Sequence, residues 1–393
     1  MAFLRQVFAL SLMGVSTLPR RLGSSLVIVV GIAGVVGVFV SLLAMRDGFE
    51  ATLGATGRLD QAIVLRGGSN TELSSRITRE EATLVAEAPG ILAVADGRPL
   101  VSAEVVVIVN LPKRSTGTDS NVQLRGVGPQ ALALRPDIRV VEGRAFTAGR
   151  RELLVGRGAA EQFAGLAPGK TLDLGNEPWT VVGVFESGDA EESEIWADAE
   201  SVQSAYRRDG FQSLRVKLTD ASAFPVFRDA LAGDPRLKID VQRTRDYFAT
   251  QSQRLRRLID VLATTVAAIM AVGATFGALN TMYAAVATRG REIAILRSLG
   301  FAASAIVAAV MLEAIVLALA GGTLGAALAW WLFDEYTVST LGANFSQVVF
   351  AFRVTPALVA DALRWALVIG FAGGLFPALQ AIRTPLTRAL RAR

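Results

Sequence analysis

"LGSSLVIVVGIAGVVGVFVSLLAM", residues 22–45, is a run of 24 uncharged residues between Arg21 and Arg46. As a helix rising ~1.5 Å per residue it is ~36 Å long, enough to cross a hydrocarbon core of ~30 Å. The run is about twice as long as the apolar region of a secretory signal, and no Ala-x-Ala site follows it. It therefore reads as a retained membrane span. Three similar runs follow: Val261–Thr288, Phe301–Phe333 interrupted only by Glu313, and Trp365–Ile382 between Arg364 and Arg383. The expected architecture is an α-helical membrane protein with four transmembrane helices and a large α+β domain outside the bilayer.

The arginines set the orientation. Arg5, Arg20 and Arg21 precede the first span without an acid, Arg289, Arg291 and Arg297 separate the second and third, and Arg383, Arg388, Arg391 and Arg393 follow the fourth. The positive-inside rule puts both termini in the cytosol and residues 46–256 in the periplasm or outside the cell; Arg254, Arg256 and Arg257 end a long segment, and long segments cross largely regardless of charge. The expected order is a cytosolic amphipathic helix (1–22), spans at 23–45, 257–288, 301–333 and 358–382, a cytosolic helix (289–300), a short outer loop (334–357) and a basic tail (383–393). The N-terminal helix reads as interfacial, lying along the inner leaflet of the bilayer.

Composition removes several chemistries. The 393 residues include no cysteine and no histidine, which excludes disulfides, thiol or His-based catalysis and Cys/His metal sites. The net charge of +5 belongs to the flanks of the spans, so no nucleic-acid partner is expected. "AGLAPGKTLDLG" (164–175) ends like a phosphate-binding loop, but only three residues separate Gly165 from Gly169-Lys170-Thr171 where four are required. It reads as a turn entering a strand. The acidic run Glu186–Glu194 lacks calcium-loop spacing and reads as a solvated turn.

Within 46–256 the ends continue the spans as helical stalks. "AIVLRG", "AEVVVIVNL", "VQLRGV", "RELLVG", "TLDLG", "WTVVGVFES", "EIWAD" and "LRVKLT" read as strands, and "TREEATLVAEAPG" and "DAESVQSAYRRDG" as helices capped by Thr78 and Asp198.

"ATRGREIAILRSLGFAASAIVAAVMLEAIVLALAGGTLGAALA", 287–329, resembles the signature of MacB/FtsX-like (type VII) ABC transporter permeases. "GLFPALQAIRTPLTRALRA" is similar to that family's C-terminus, and "LRGVGPQALALRPDIRVVEGRAF" through "KTLDLGNEPWTVVGVFES" resembles its MacB-type periplasmic core domain. The resemblance implies a non-catalytic permease that dimerises and binds two copies of a separate ATPase. That partner holds ATP and magnesium, and this chain needs no cofactor of its own; MacB itself carries its ATPase on the same chain, so the separate-permease branches are the closer comparison. It further implies export with a periplasmic adaptor protein and an outer-membrane duct, driven by mechanotransmission. Lipoprotein release and an FtsX-like regulator of a cell-wall hydrolase are its alternatives.

The resemblance implies a coupling helix made of Arg289, Arg291, Glu292, Ile293, Leu296, Arg297, Leu299 and Gly300. Ile293, Leu296 and Gly300 share a face and Ile295 and Leu299 form a neighbouring strip; the exposed apolar strip should lie against the membrane surface or enter a partner's groove, and the resemblance implies the second. Glu313, about 18 Å into its span, would cost ~2.5–3.5 kcal/mol if ionised and alone, so it should pair or be protonated, and its expected role is packing against another span. Gly273 and Gly277, Gly321 and Gly325, and Gly31, Gly34 and Gly37 have the spacing of close helix packing, within the subunit or across a dimer.

Overall fold

The computed structural model describes residues 2–17, 22–94, 97–342, 344 and 346–383. Arg20, Arg21 and the tail arginines Arg388, Arg391 and Arg393 lie outside the described residues. Along the chain the first elements are α1 (Ala2–Thr17), α2 (Leu22–Thr56), β1 (Gln61–Arg66), α3 (Arg79–Ala86), β2 (Val101–Pro112), β3 (Asp119–Val127), α4 (Ala131–Leu134), β4 (Arg139–Gly143), β5 (Glu152–Gly156) and α5 (Arg157–Gln162). Next come β6 (Thr171–Leu174), β7 (Glu177–Glu186), β8 (Glu194–Asp198), α6 (Ala199–Tyr206), β9 (Ser213–Lys217), α7 (Phe224–Ala232) and β10 (Ile239–Arg243). The chain closes with α8 (Thr244–Thr288), α9 (Gly290–Ser298), α10 (Ala303–Phe333), β11 (Thr337–Leu341), β12 (Gln347–Ala351) and α11 (Pro356–Arg383).

The chain divides into two units. One comprises residues 1–47, 257–336 and 352–393, the other 48–256 and 337–351. Helices α2, α8, α10 and α11 are long and apolar enough to cross a membrane. The first unit is built on them, with a core of Ile32, Val36, Val40, Ala267, Ala318 and Ala366 among others. Small residues set the approach of these helices. A Cβ placed on Gly321 would lie 2.7 Å from the Val29 carbonyl oxygen, and one on Gly325 would overlap the Ala33 carbonyl. On α11, Gly373 faces Ala278 at 2.7 Å and Gly374 faces Ala314 at 2.6 Å by the same measure. Gly31, Gly34, Gly273 and Gly277 meet nothing within 4 Å, so their smallness has no packing use within the described chain.

Gly325→Ala is accordingly expected to cost about 1–3 kcal/mol through overpacking against rigid backbone, whereas Gly273→Ala should leave the isolated chain's melting temperature unchanged. Thermal unfolding of the detergent-solubilised chain tests both. Pro377 lies inside α11, six residues before its end.

The second unit is one mixed sheet of ten strands, in the order β10-β1-β9-β2-β3-β8-β5-β7-β4 with β6 beside β7, plus the hairpin β11–β12. The alternation of β2, β3, β8 and β9 gives the sheet two different faces. Val105, Val107, Val122, Leu124, Ile195, Leu214 and Val216 turn to one side, into an apolar core shared with Val85 of α3, Val202 of α6 and Phe227 of α7. α3 starts on the expected capping box of Thr78 and Glu81. Gly169 and Lys170 sit in the turn before β6, where the Gly169 N–H is taken by Val181 O at 2.8 Å and Val181 N–H donates to Lys170 O at 2.9 Å.

The other face is charged and buried. Val106 stands opposite Arg125, Arg125 opposite Trp196, and Ser102 and Glu104 opposite Arg215 and Ser213. Arg125, 1% exposed, spends all five N–H groups: on Glu72 at 2.8 and 3.0 Å, on Glu104 at 2.7 Å and on Glu194 at 2.7 and 2.9 Å. Arg135 donates to Glu104 at 2.8 Å and to Glu191 at 2.9 Å and lies over the Trp196 ring. Burial raises the Glu72 carboxyl, but Arg125, Arg215 and the Ser213 hydroxyl outweigh it and hold it at about 2.

This network corrects the reading of Glu186–Glu194 as a solvated turn. Glu191 and Ser193 are buried in a short 3-10 turn, where Thr56 Oγ1 accepts the Ala190 N–H at 3.1 Å and Ser193 Oγ accepts the Val349 N–H at 2.8 Å. The acids are there because Arg125, Arg135 and Arg215 require counter-charges. Four strands were also missed in sequence: β4, β10, β11 and β12. β4 is exposed throughout and β10 edges the sheet, so neither shows the apolar run that marks an inner strand.

Asp189, in the same turn, is raised from 3.8 to about 7, first by burial and then by Glu191 and Glu194; it accepts hydrogen bonds from Ser187 Oγ and Glu191 N–H, which lower it. Because the folded-state value is raised, the protonated form favours folding. That contribution is complete below about 4 and is lost as pH rises through about 7. Asp189→Asn should therefore raise the urea midpoint at pH 8 and leave it near wild type at pH 4.

Candidate coupling site

The connection from α8 to α10 holds every residue singled out for coupling. Arg289 leaves helical geometry with φ −99° and ψ 8°, and α9 begins at Gly290. The other end is a Schellman closure: Gly300 N–H donates to Arg297 O at 3.2 Å and Phe301 N–H to Leu296 O at 3.1 Å. Gly300 has φ +93°, a left-handed conformation that a side chain opposes. A nine-residue helix has little stability alone. Its stability comes from packing, and its buried residues show where.

Ile293 is 8% exposed and packs with Leu10 of α1, Ala305 and Ile306 of α10 and Ala381 of α11; Leu296 lies against the same cluster. This corrects the expectation that Ile293 and Leu296 form an exposed strip. The first turn of α10, the end of α11 and the inner face of α1 make a socket for them, which sequence periodicity alone could not reveal. The outward strip is the neighbouring one, Ile295 at 44% and Leu299 at 71% exposed, flanked by exposed Arg291, Glu292 and Gly300.

Two arginines fix α9 from its ends. Arg297 Nη1 donates to the Ile382 carbonyl at 3.0 Å, satisfying a carbonyl in the last turn of α11. Arg289 Nη1 donates to Glu313 Oε2 at 3.1 Å and its Nε to Glu292 at 3.3 Å. Glu313 is 6% exposed, and α1 closes over it: a Cβ on Gly14 would stand 3.2 Å from Glu313 Oε2. Arg289, the residue that opens α9, is thus a partner of Glu313. A cavity of about 30 Å³ adjoins the pair, walled by Met282, Val286 and Val310. Gln6 of α1 accepts the Ala302 N–H at 3.3 Å, where α10 has no side-chain cap of its own. The parts played by Gln6, Leu10 and Gly14 were not read in sequence; the only signal was the amphipathic pattern of α1.

Four apolar helices and a separately folded α+β unit define a membrane protein with a large domain outside the bilayer. A family model described as MacB-like periplasmic core domain matches residues 23–233, and one described as FtsX-like permease C-terminal matches residues 264–386. The chain belongs to the MacB/FtsX-like (type VII) family of ABC transporter permeases, whose members work with an ATPase and are generally dimers. It is an inner-membrane protein with an extracytoplasmic domain.

Among its relatives, the macrolide export ATP-binding/permease protein MacB of Bordetella avium is 25% identical over 377 residues, covering 91% of this chain and 55% of the relative. The protein of that name in Neisseria gonorrhoeae is 24% identical over 391 residues, 93% of this chain and 57% of the relative. The chain spans about half the length of the curated relatives it matches. The solved periplasmic region of MacB from Actinobacillus actinomycetemcomitans aligns with 50% of this chain and 94% of its own, at 15% identity and a TM-score of 0.36; the family assignment does not rest on it.

Proposed function

We propose that this chain is the non-catalytic permease subunit of an ABC exporter, and that its outward α9 face docks a separate ATPase. Two permeases and two ATPase subunits make the complex, with ATP and magnesium bound by the ATPase. Both termini are cytosolic. Closure of the ATPase pair displaces α9, and the displacement passes through the spans to the extracytoplasmic unit, which moves its cargo with an adaptor protein and an outer-membrane duct.

The observation that carries this reading is the division of α9 into an anchored face and a free one. Ile293, Leu296, Arg289 and Arg297 hold it to its own subunit, while Ile295 and Leu299 stay apolar and exposed between charges. A small apolar centre with a charged rim is the composition of a protein interface.

The test is co-purification of the ATPase with the solubilised chain and with the Leu299→Asp and Glu292→Lys variants. Leu299→Asp should lower ATPase recovery at least tenfold, with the permease melting temperature unchanged. Undiminished recovery from both variants would overturn the assignment. A hydrolase in place of an adaptor among the proteins recovered would mark a regulator rather than an exporter.

A further inference from the structure

We infer that the groove between α1 and α10 is a specific site for one anionic phospholipid. This groove is separate from the α9 face proposed for the ATPase, and α1 forms most of its wall. Its residues Val7, Leu10 and Gly14 face the core of the first unit, which would leave an ordinary surface helix polar on its other side. Instead Leu4, Phe8 and Leu12, spaced i, i+4 and i+8, form a second apolar stripe exposed by 71%, 70% and 62%. With Leu312 of α10 this stripe lines an open groove of about 710 Å³. Each CH₂ buried there contributes about 0.8 kcal/mol, so an acyl chain is a fitting occupant for a stripe that water would penalise.

Two polar groups give the groove chemical direction. Arg5 lies on its wall and makes no ion pair with a described residue. The neighbourhood offers it no acid: residues 1–46 contain Arg5, Arg20, Arg21 and Arg46 and neither Asp nor Glu. Glu313 on α10 is turned to Arg289, beneath Gly14. A guanidinium on an apolar interfacial helix is matched by a phosphate, which it can bind through two parallel N–H groups. The second group is Ser11 Oγ, buried in the groove without a hydrogen-bond partner among the described residues. It can donate to a glycerol ester carbonyl while Arg5 holds the headgroup. The exposed stripe, the unpaired cation and the unsatisfied hydroxyl together fit one glycerophospholipid with an acidic headgroup.

The experiment is native mass spectrometry of the full chain, purified in neutral detergent and titrated with phosphatidylglycerol or phosphatidylcholine of identical acyl chains. The wild type should retain one phosphatidylglycerol about fivefold more tightly than phosphatidylcholine, the ratio given by ~1 kcal/mol per basic residue at a membrane surface. Arg5→Gln should bind both lipids equally, and Ser11→Leu, which fills the groove, should retain neither while eluting as wild type in size exclusion. Equal retention of the two lipids by the wild type, or unchanged selectivity in Arg5→Gln, overturns the proposal. So does efficient disulfide formation between two Leu12→Cys chains in membranes, which would show a second copy covering the groove; the absence of native cysteines makes that cross-link unambiguous.

Discussion

Arg125→Ala is expected to unfold the extracytoplasmic unit at neutral pH. The side chain is buried and makes five hydrogen bonds to Glu72, Glu104 and Glu194. Breaking one buried pair costs about 3–5 kcal/mol, because a charge is left in low dielectric without compensation. Here three carboxylates lose a partner together, against a net domain stability of about 5–15 kcal/mol. Arg125→Lys should be intermediate, since an ammonium cannot reproduce the planar five-donor fork. Trp196 is a built-in reporter: its Nε1 donates to Glu194 at 2.9 Å, and Arg135 stacks on its ring at 4.8 Å.

Urea titrations followed by tryptophan fluorescence should show the transition of this unit lost or shifted far down in the alanine variant. A wild-type midpoint would refute the claim that the network holds the sheet together. The pH dependence gives a second check. Glu72 is depressed to about 2 in the folded state, so its contribution is present above about 4.5 and lost as pH falls toward 2. The lysine variant should have a shallower acid limb than the wild type.

Glu313→Ala should have the next largest effect. It leaves Arg289, only 16% exposed at its side chain, with Glu292 at 3.3 Å as its remaining carboxylate. The cost should fall below the ~3–5 kcal/mol of a buried charge left wholly uncompensated, and Glu313→Gln, which keeps an acceptor for Arg289 Nη1, should cost less still. Replacing both partners by Leu and Met should recover most of the loss, because the pocket wall is otherwise apolar. Hydrogen exchange distinguishes anchoring from general destabilisation. If the pair anchors α9, amides of 290–298 should exchange faster in Glu313→Gln while those of the sheet strands keep wild-type protection. Unchanged protection of α9 in both single variants would show that Ile293 and Leu296 hold it unaided.

Sequence conveyed the large periodic features well, because each rests on local chemistry. The span runs, the Thr78 capping box, the Asp198 cap and eight strands follow from apolar length, β-branched content and turn residues, all of which act within a few positions. The family resemblance was carried by motifs of the same local kind, around Arg291-Glu292-Ile293 and Gly321-Gly322. The missed strands are exposed or lie at edges, where an apolar pattern is not required. Asp189, Glu191 and Glu194 looked like a solvated acidic turn because nothing local announces a buried arginine on a strand distant in sequence.

What the sequence alone determined is therefore the number of spans, the α+β character of the outer unit, and the placement of a short charged helix between the second and third spans. Which face of that helix is free, which residue neutralises Glu313, and how four glutamates and three arginines share one face of a sheet were decided only by tertiary structure. Span length and capping depend on neighbours in the chain. Burial and ion pairing depend on which surfaces meet, and the groups that meet here come from segments up to several hundred residues apart.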